Sequence, residues 1–89
     1  MTTIFERLQK LTAEQLGVDR EYITPSAIFV DDLNADPSDL AELMAYIEKE
    51  FSTPKRKIEI SDEEIDKLLN IQDVIELLRD HAVEDEEEI

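Results

Sequence analysis

The strongest constraint on the fold is one amphipathic segment near the middle of the chain. Asp36 is suited to accept hydrogen bonds from the N–H groups of a first helical turn. Pro37 is tolerated at the first helical position, because the N–H that it lacks would have no partner there. The sequence therefore predicts a helix beginning at Pro37, with an apolar stripe that the rest of the chain must cover. That stripe follows the spacing of 3.6 residues per turn and contains Leu40, Leu43, Met44, Ile47 and Phe51.

Three further helices are predicted from capping signals and apolar spacing. A first helix runs from Thr3 to about Gln15 and stops at Gly17, the residue type that favours a left-handed C-terminal cap. Ser61 is suited to cap a short third helix of about two turns. Asn70, with an acid three residues later, resembles a capping box that opens a last helix. The apolar residues of that helix predicted to face the core are Ile71, Val74, Ile75 and Leu78.

The connection between the first two helices is long, and its apolar residues follow no regular period. Residues 18–35 mix turn formers such as Pro25 and Asn34 with apolar side chains such as Phe29. We expect so apolar a loop to lie on the core. The fold class predicted is all-α, a small irregular four-helix bundle with a long first loop and a short third helix.

The length and the charge narrow the choice of function. A chain of 89 residues is one small domain, which we expect to span residues 1–82, followed by an acidic and disordered tail over residues 83–89. The net charge of −15 argues against nucleic acid and anionic membranes as partners and favours basic patches on other proteins. No transmembrane segment or signal sequence is visible, so we expect a cytoplasmic or matrix-like location. We also expect a monomer.

Nothing in the sequence supports catalysis or a dedicated metal site. The absence of cysteine excludes thiolate ligands and thiol nucleophiles. Residues 32–36 match the opening of a calcium-binding EF-hand loop, but Pro37 replaces its glycine and Leu43 replaces its bidentate glutamate. His81, the single histidine, is suited to the C-terminal end of the last helix and is not expected to act alone. We therefore expect neither an enzyme nor a metal protein.

The sequence resembles the acyl carrier protein family over about residues 3–82, and the resemblance rests on several separate segments. The resemblance implies that family's four-helix fold and a non-catalytic role in fatty acid or polyketide biosynthesis. The segments that carry it are 14–18 (EQLGV), 29–36 (FVDDLNAD), 42–43 (EL), 48–51 (EKEF), 59–64 (EISDEE) and 71–75 (IQDVI).

The resemblance also implies a serine directly after Asp36 that carries a 4'-phosphopantetheine arm, whose thiol holds an acyl group. Pro37 occupies that position here, and Ser38 is the next residue along, about 100° further around the helix. Two hypotheses follow. Either Ser38 takes the arm, or the chain is a diverged interaction or regulatory module that is not modified. If the chain is a carrier, the residues expected to line an acyl cavity are Leu40, Leu43, Met44, Ile47, Ile65, Leu68 and Ile71.

By the same resemblance, partners would be carrier-dependent synthases or acyltransferases that dock on the second helix through basic patches. The alternative is that the charged residues form an ordinary solvated helix face. Compared with the usual spacing of the family, about five extra residues follow that helix. They include the only basic cluster of the chain, Lys55, Arg56 and Lys57, which we expect to lie in an exposed loop. The sequence does not indicate the function of this loop. The residues predicted to meet a partner are Asp36, Asp39, Glu42, Glu48, Lys49 and Glu50.

Overall fold

The fold is a bundle of four α-helices, as the sequence predicts. The computed structural model describes residues 3–81 and residue 83. Within these residues there is no strand, and only two isolated β-bridges occur. The helices are α1 (Ile4–Leu16), α2 (Pro37–Phe51), the five-residue α3 (Asp62–Asp66) and α4 (Ile71–Asp80), with a 3₁₀ turn at Arg20–Tyr22 that the sequence analysis did not predict.

The helix ends lie where the capping chemistry predicts them. Each of the four α-helices begins after a residue whose side chain accepts a hydrogen bond from a backbone N–H of the first turn, which pairs a donor that would otherwise lack a partner. Gly17 ends α1 with a φ of 68°, in the left-handed region that glycine adopts at little cost. The four capping residues are Thr3, Asp36, Ser61 and Asn70.

The apolar stripe of α2 forms the centre of the core. Leu43, Met44 and Ile47 are fully buried, and Phe51 is 4% exposed. The helix packs against α1 and against α3. The predicted core face of α4 is buried as well and completes the core with Ile71, Val74, Ile75 and Leu78.

The long first loop lies on the core, and it is attached to the beginning of α4. The backbone N–H of Phe29 donates to the Leu69 carbonyl at 3.0 Å, and the N–H of Ile71 donates to the Ala27 carbonyl at 3.1 Å. The second of these bonds also satisfies a donor in the first turn of α4. The loop thereby links the start of α2 to the start of α4. Its buried apolar residues are Ile23, Ala27, Phe29, Leu33 and Ala35.

The predicted acidic tail lies almost wholly outside the described residues. Its first residue, Val83, is half-buried and packs against the core. The N–H of Val83 donates to the Leu78 carbonyl at 2.9 Å. The core therefore includes one residue beyond the expected boundary of the domain.

Candidate functional site

The beginning of α2 is the position at which the sequence analysis placed the chemistry. The side chain of Asp36 accepts a hydrogen bond from the N–H of Asp39 at 2.8 Å, and the Asp39 carboxylate accepts one from the N–H of Asp36 at 3.3 Å. This reciprocal capping box fixes Pro37 as the first residue of the helix and Ser38 as the second. The helix therefore does not slide by one residue to bring Ser38 into the position of Pro37.

The segment before α2 is held in place by local hydrogen bonds. The Asp32 carboxylate accepts a hydrogen bond from the N–H of Ile28 at 2.8 Å, and the N–H of Ala35 donates to the Phe29 carbonyl at 2.8 Å. Asn34 has a φ of 57°, a left-handed conformation in which asparagine is tolerated better than most residues. The loop consequently delivers the chain to Asp36 along a defined path.

An open groove of about 310 Å³ lies between the first turns of α2, the loop before it, and α3. Its lining is mainly apolar, and Pro37 is part of it, whereas Ser38 is not. Three carboxylates, those of Asp36, Asp62 and Asp66, also border the groove. The arrangement can receive an apolar group and favours an approach by positive charge. The apolar lining consists of Val30, Ala35, Pro37, Leu40, Ala41, Ile65 and Leu68.

The residues predicted to line an acyl cavity fall into two groups. Leu40, Ile65 and Leu68 border the groove. The other four are fully buried within the packed core: Leu43, Met44, Ile47 and Ile71. The sequence does not identify Val30, Asp62 or Asp66 as groove residues, because no local spacing shows that the loop and α3 meet at the start of α2.

A phosphopantetheine arm requires a hydroxyl group, and the two residues at the start of α2 differ in this respect. Pro37 borders the groove but has no hydroxyl, so a phosphopantetheine arm cannot be attached at that position. Ser38 has a hydroxyl and is exposed, but it lies one residue further along the helix, on the outward side. Within the described residues, no hydrogen bond engages its side chain. The structure therefore separates the hydroxyl from the lining of the groove.

Most of the residues predicted to meet a partner are engaged within the fold. Asp36 and Asp39 form the capping box described above. The Glu48 carboxylate accepts a hydrogen bond from the N–H of Ile60 at 3.1 Å. The Glu50 carboxylate pairs with the Arg7 guanidinium at 3.1 Å.

Glu42 and Lys49 lie instead on the outward face of α2, and both are exposed. Their seven-residue separation places them about two turns apart on the same side of the helix. Ser38, Ala45 and Tyr46 are exposed beside them, so the two charges on this face are of opposite sign. The outward face of α2 is therefore not uniformly acidic.

His81 lies where the sequence predicts it, at the C-terminal cap of α4, and contacts α3. Its Nε2 atom lies 3.1 Å from the Glu64 carboxylate. A hydrogen bond from the backbone N–H of Ser61 lowers the pKa of Glu64, and the hydrogen bond with His81 lowers it further. The contact joins α3 to the end of α4, so it acts structurally.

Two further classes of site do not occur in the described part of the chain. Residues 3–81 and 83 contain no group of three or more histidine, cysteine, aspartate or glutamate side chains placed to hold a metal ion. Among the same residues, no helix combines the length and the hydropathy needed to cross a bilayer.

The comparison with known protein families agrees with this geometry. The family model described as "Phosphopantetheine attachment site" matches residues 6–78. The match spans most of α1, the long loop, all of α2 and α3, and most of α4. The chain therefore belongs to the phosphopantetheine attachment family and is an acyl-carrier-like domain.

Proposed function

We propose that the protein is a non-catalytic member of the carrier family that acts by docking to partner enzymes and is not phosphopantetheinylated. The observation that carries this proposal is Pro37. It occupies the first position of a properly capped helix and borders the groove, where the family resemblance requires a hydroxyl group. A proline at that position leaves no atom to which the arm can be attached.

The docking surface in this proposal is the outward face of α2 together with the groove. Glu42 and Lys49 are exposed and supply charges of opposite sign on that face. Asp36, Asp62 and Asp66 surround an apolar groove, so a basic partner with a small apolar group can use both features. Asp39, Glu48 and Glu50 support this surface by fixing α2 and the segments next to it. We expect the protein to act as a monomer in the cytoplasm.

A second candidate function is favoured by the exposure of Ser38. Its hydroxyl lies in the first turn of α2, where the backbone N–H groups and the helix dipole favour a phosphate group. In this case Ser38 would hold the phosphopantetheine arm, the arm's thiol would carry an acyl group, and the partners would be carrier-dependent synthases or acyltransferases. The arm would leave from the outward face of α2 and not from the edge of the groove.

The intact mass of the protein separates the two functions. Wild-type protein and Ser38→Ala are incubated with coenzyme A and a broad-specificity phosphopantetheinyl transferase, beside a control carrier that the enzyme modifies. The proposed function predicts no mass gain in either chain while the control is fully modified. A gain in wild type that disappears in Ser38→Ala would replace the proposal with the second candidate.

A further inference from the structure

A basic loop, residues 52–58, follows α2 and has a defined shape. Thr53 and Arg56 exchange two backbone hydrogen bonds, of 2.7 and 3.1 Å. The Thr53 hydroxyl also accepts a hydrogen bond from the N–H of Arg56 at 3.1 Å. The loop is therefore a closed turn with Pro54 and Lys55 at its tip.

The base of the basic loop is attached firmly to the core. The Ser52 hydroxyl donates to the Glu48 carbonyl at the end of α2 and accepts a hydrogen bond from the N–H of Ile58 at 2.9 Å. Phe51, directly before the loop, is 4% exposed, and Ile58, the last residue of the loop, is 1% exposed. A loop held at both ends loses less conformational entropy when it binds than a flexible one.

The basic loop concentrates positive charge on an otherwise acidic protein. Lys55, Arg56 and Lys57 are all exposed, and Lys49 is exposed on the neighbouring outward face of α2. These are four of the nine lysine and arginine residues of the chain, within nine positions.

Three acids lie next to this loop in sequence, and the carboxylates of two of them have partners outside it. Glu48 and Glu50 are engaged with the Ile60 N–H and with Arg7. Glu59 approaches Lys57 at 3.4 Å, but both side chains are more than 70% exposed, so this pair contributes little.

We propose that the basic loop is a docking surface for an acidic segment of a partner protein. The inference rests on the proposed docking function and adds a second, oppositely charged element to it. Charge complementarity selects the partner. An extended polyanion such as nucleic acid, or an anionic bilayer, would also meet the acidic surface of this protein, which has a net charge of −15. That surface would repel it. A short acidic segment can contact the loop without meeting that surface, because charges beyond about 8 Å are screened at physiological salt.

The experiment is a titration of ¹⁵N-labelled protein with a hexaglutamate peptide, followed by amide chemical shifts. We expect shifts confined to Lys49 and the basic loop, which weaken as salt is added. The variant Lys55→Ser, Arg56→Ser, Lys57→Ser should bind about tenfold more weakly, since three exposed ion pairs are lost. A hexalysine peptide tests the proposed docking function separately and should instead shift Glu42 and the residues around the groove.

A matched control keeps the change in net charge the same. The variant Lys10→Ser, Lys67→Ser, Arg79→Ser removes three exposed cations elsewhere and should bind the peptide as wild type does. Circular dichroism checks that both variants are folded. Equal weakening in the two variants, or no shift at the basic loop, would overturn the proposal. Tighter binding of a short single-stranded DNA or of anionic vesicles would also overturn the proposal. Loop shifts that depend on protein concentration in the absence of peptide would overturn it too, because they would show that the loop binds a second copy of the chain.

Discussion

Phe29 and Val30 are neighbours in the long first loop with very different surroundings, and they provide a paired test of how the start of α2 is held. The Phe29 side chain is 1% exposed, whereas that of Val30 is 61% exposed. The backbone of Phe29 bonds to Leu69 on one side and to Ala35 on the other, so this residue joins the loop, the approach to α2 and the approach to α4. Phe29→Ala should therefore be far more destabilising than Val30→Ala.

The magnitude follows from burial. Truncating a fully buried phenylalanine costs about 3–5 kcal/mol, because apolar contacts are lost and a cavity is left. Domains of this length have a free energy of unfolding of roughly 5–10 kcal/mol, so Phe29→Ala should retain only a small part of it. Val30→Ala removes mainly exposed surface and should stay within about 0.5 kcal/mol of wild type.

Urea unfolding followed by circular dichroism at 222 nm measures both variants. With a slope of about 1 kcal/mol per molar urea, Phe29→Ala should lower the unfolding midpoint by roughly 3–5 M, and the slope should not change. Val30→Ala should leave the midpoint within about 0.5 M of wild type. Equal shifts in the two variants, or a loss below about 1 kcal/mol in Phe29→Ala, would refute the placement of the loop on the core.

Two further predictions concern the caps and the contact between α3 and α4. Asp36→Ala removes the cap of α2 and should lower the free energy of unfolding by about 1 kcal/mol. Asp31→Ala, at an exposed loop position, is the control and should change that free energy little. Equal losses in the two variants would contradict the capping role of Asp36. The folded-state pKa of Glu64 lies below its usual value of 4.5, so its carboxylate contributes stability above that pH and loses the contribution as pH falls through the folded pKa. Glu64→Gln should therefore destabilise the protein more at pH 7 than at pH 3 in urea melts, and an equal effect at both pH values would contradict this assignment.

The helices could be predicted from the sequence because their signals are local. Asp36, Ser61 and Asn70 each cap the helix that directly follows, and the apolar stripes of α2 and α4 are buried as their spacing indicates. Gly17 ends α1 for an equally local reason, since the left-handed cap depends on the residue itself.

The path of the long loop and the residues of the groove could not be predicted in the same way. Phe29 is fixed by a hydrogen bond to Leu69, forty residues further along the chain, and no periodicity in residues 18–35 reveals that pairing. The groove joins the loop, the start of α2 and α3, so its lining depends on tertiary packing. The pairing of Glu50 with Arg7, which engages one of the predicted docking acids, is likewise non-local.

In the proposed function, Pro37 removes the attachment point from an otherwise intact carrier scaffold. Restoring the hydroxyl tests this proposal, and the measurement is the intact mass of Pro37→Ser and of wild type after incubation with coenzyme A and the phosphopantetheinyl transferase. We expect a phosphopantetheine mass gain in Pro37→Ser, retained when Ser38→Ala is added, and no gain in wild type. A gain in wild type, or none in Pro37→Ser, would contradict it.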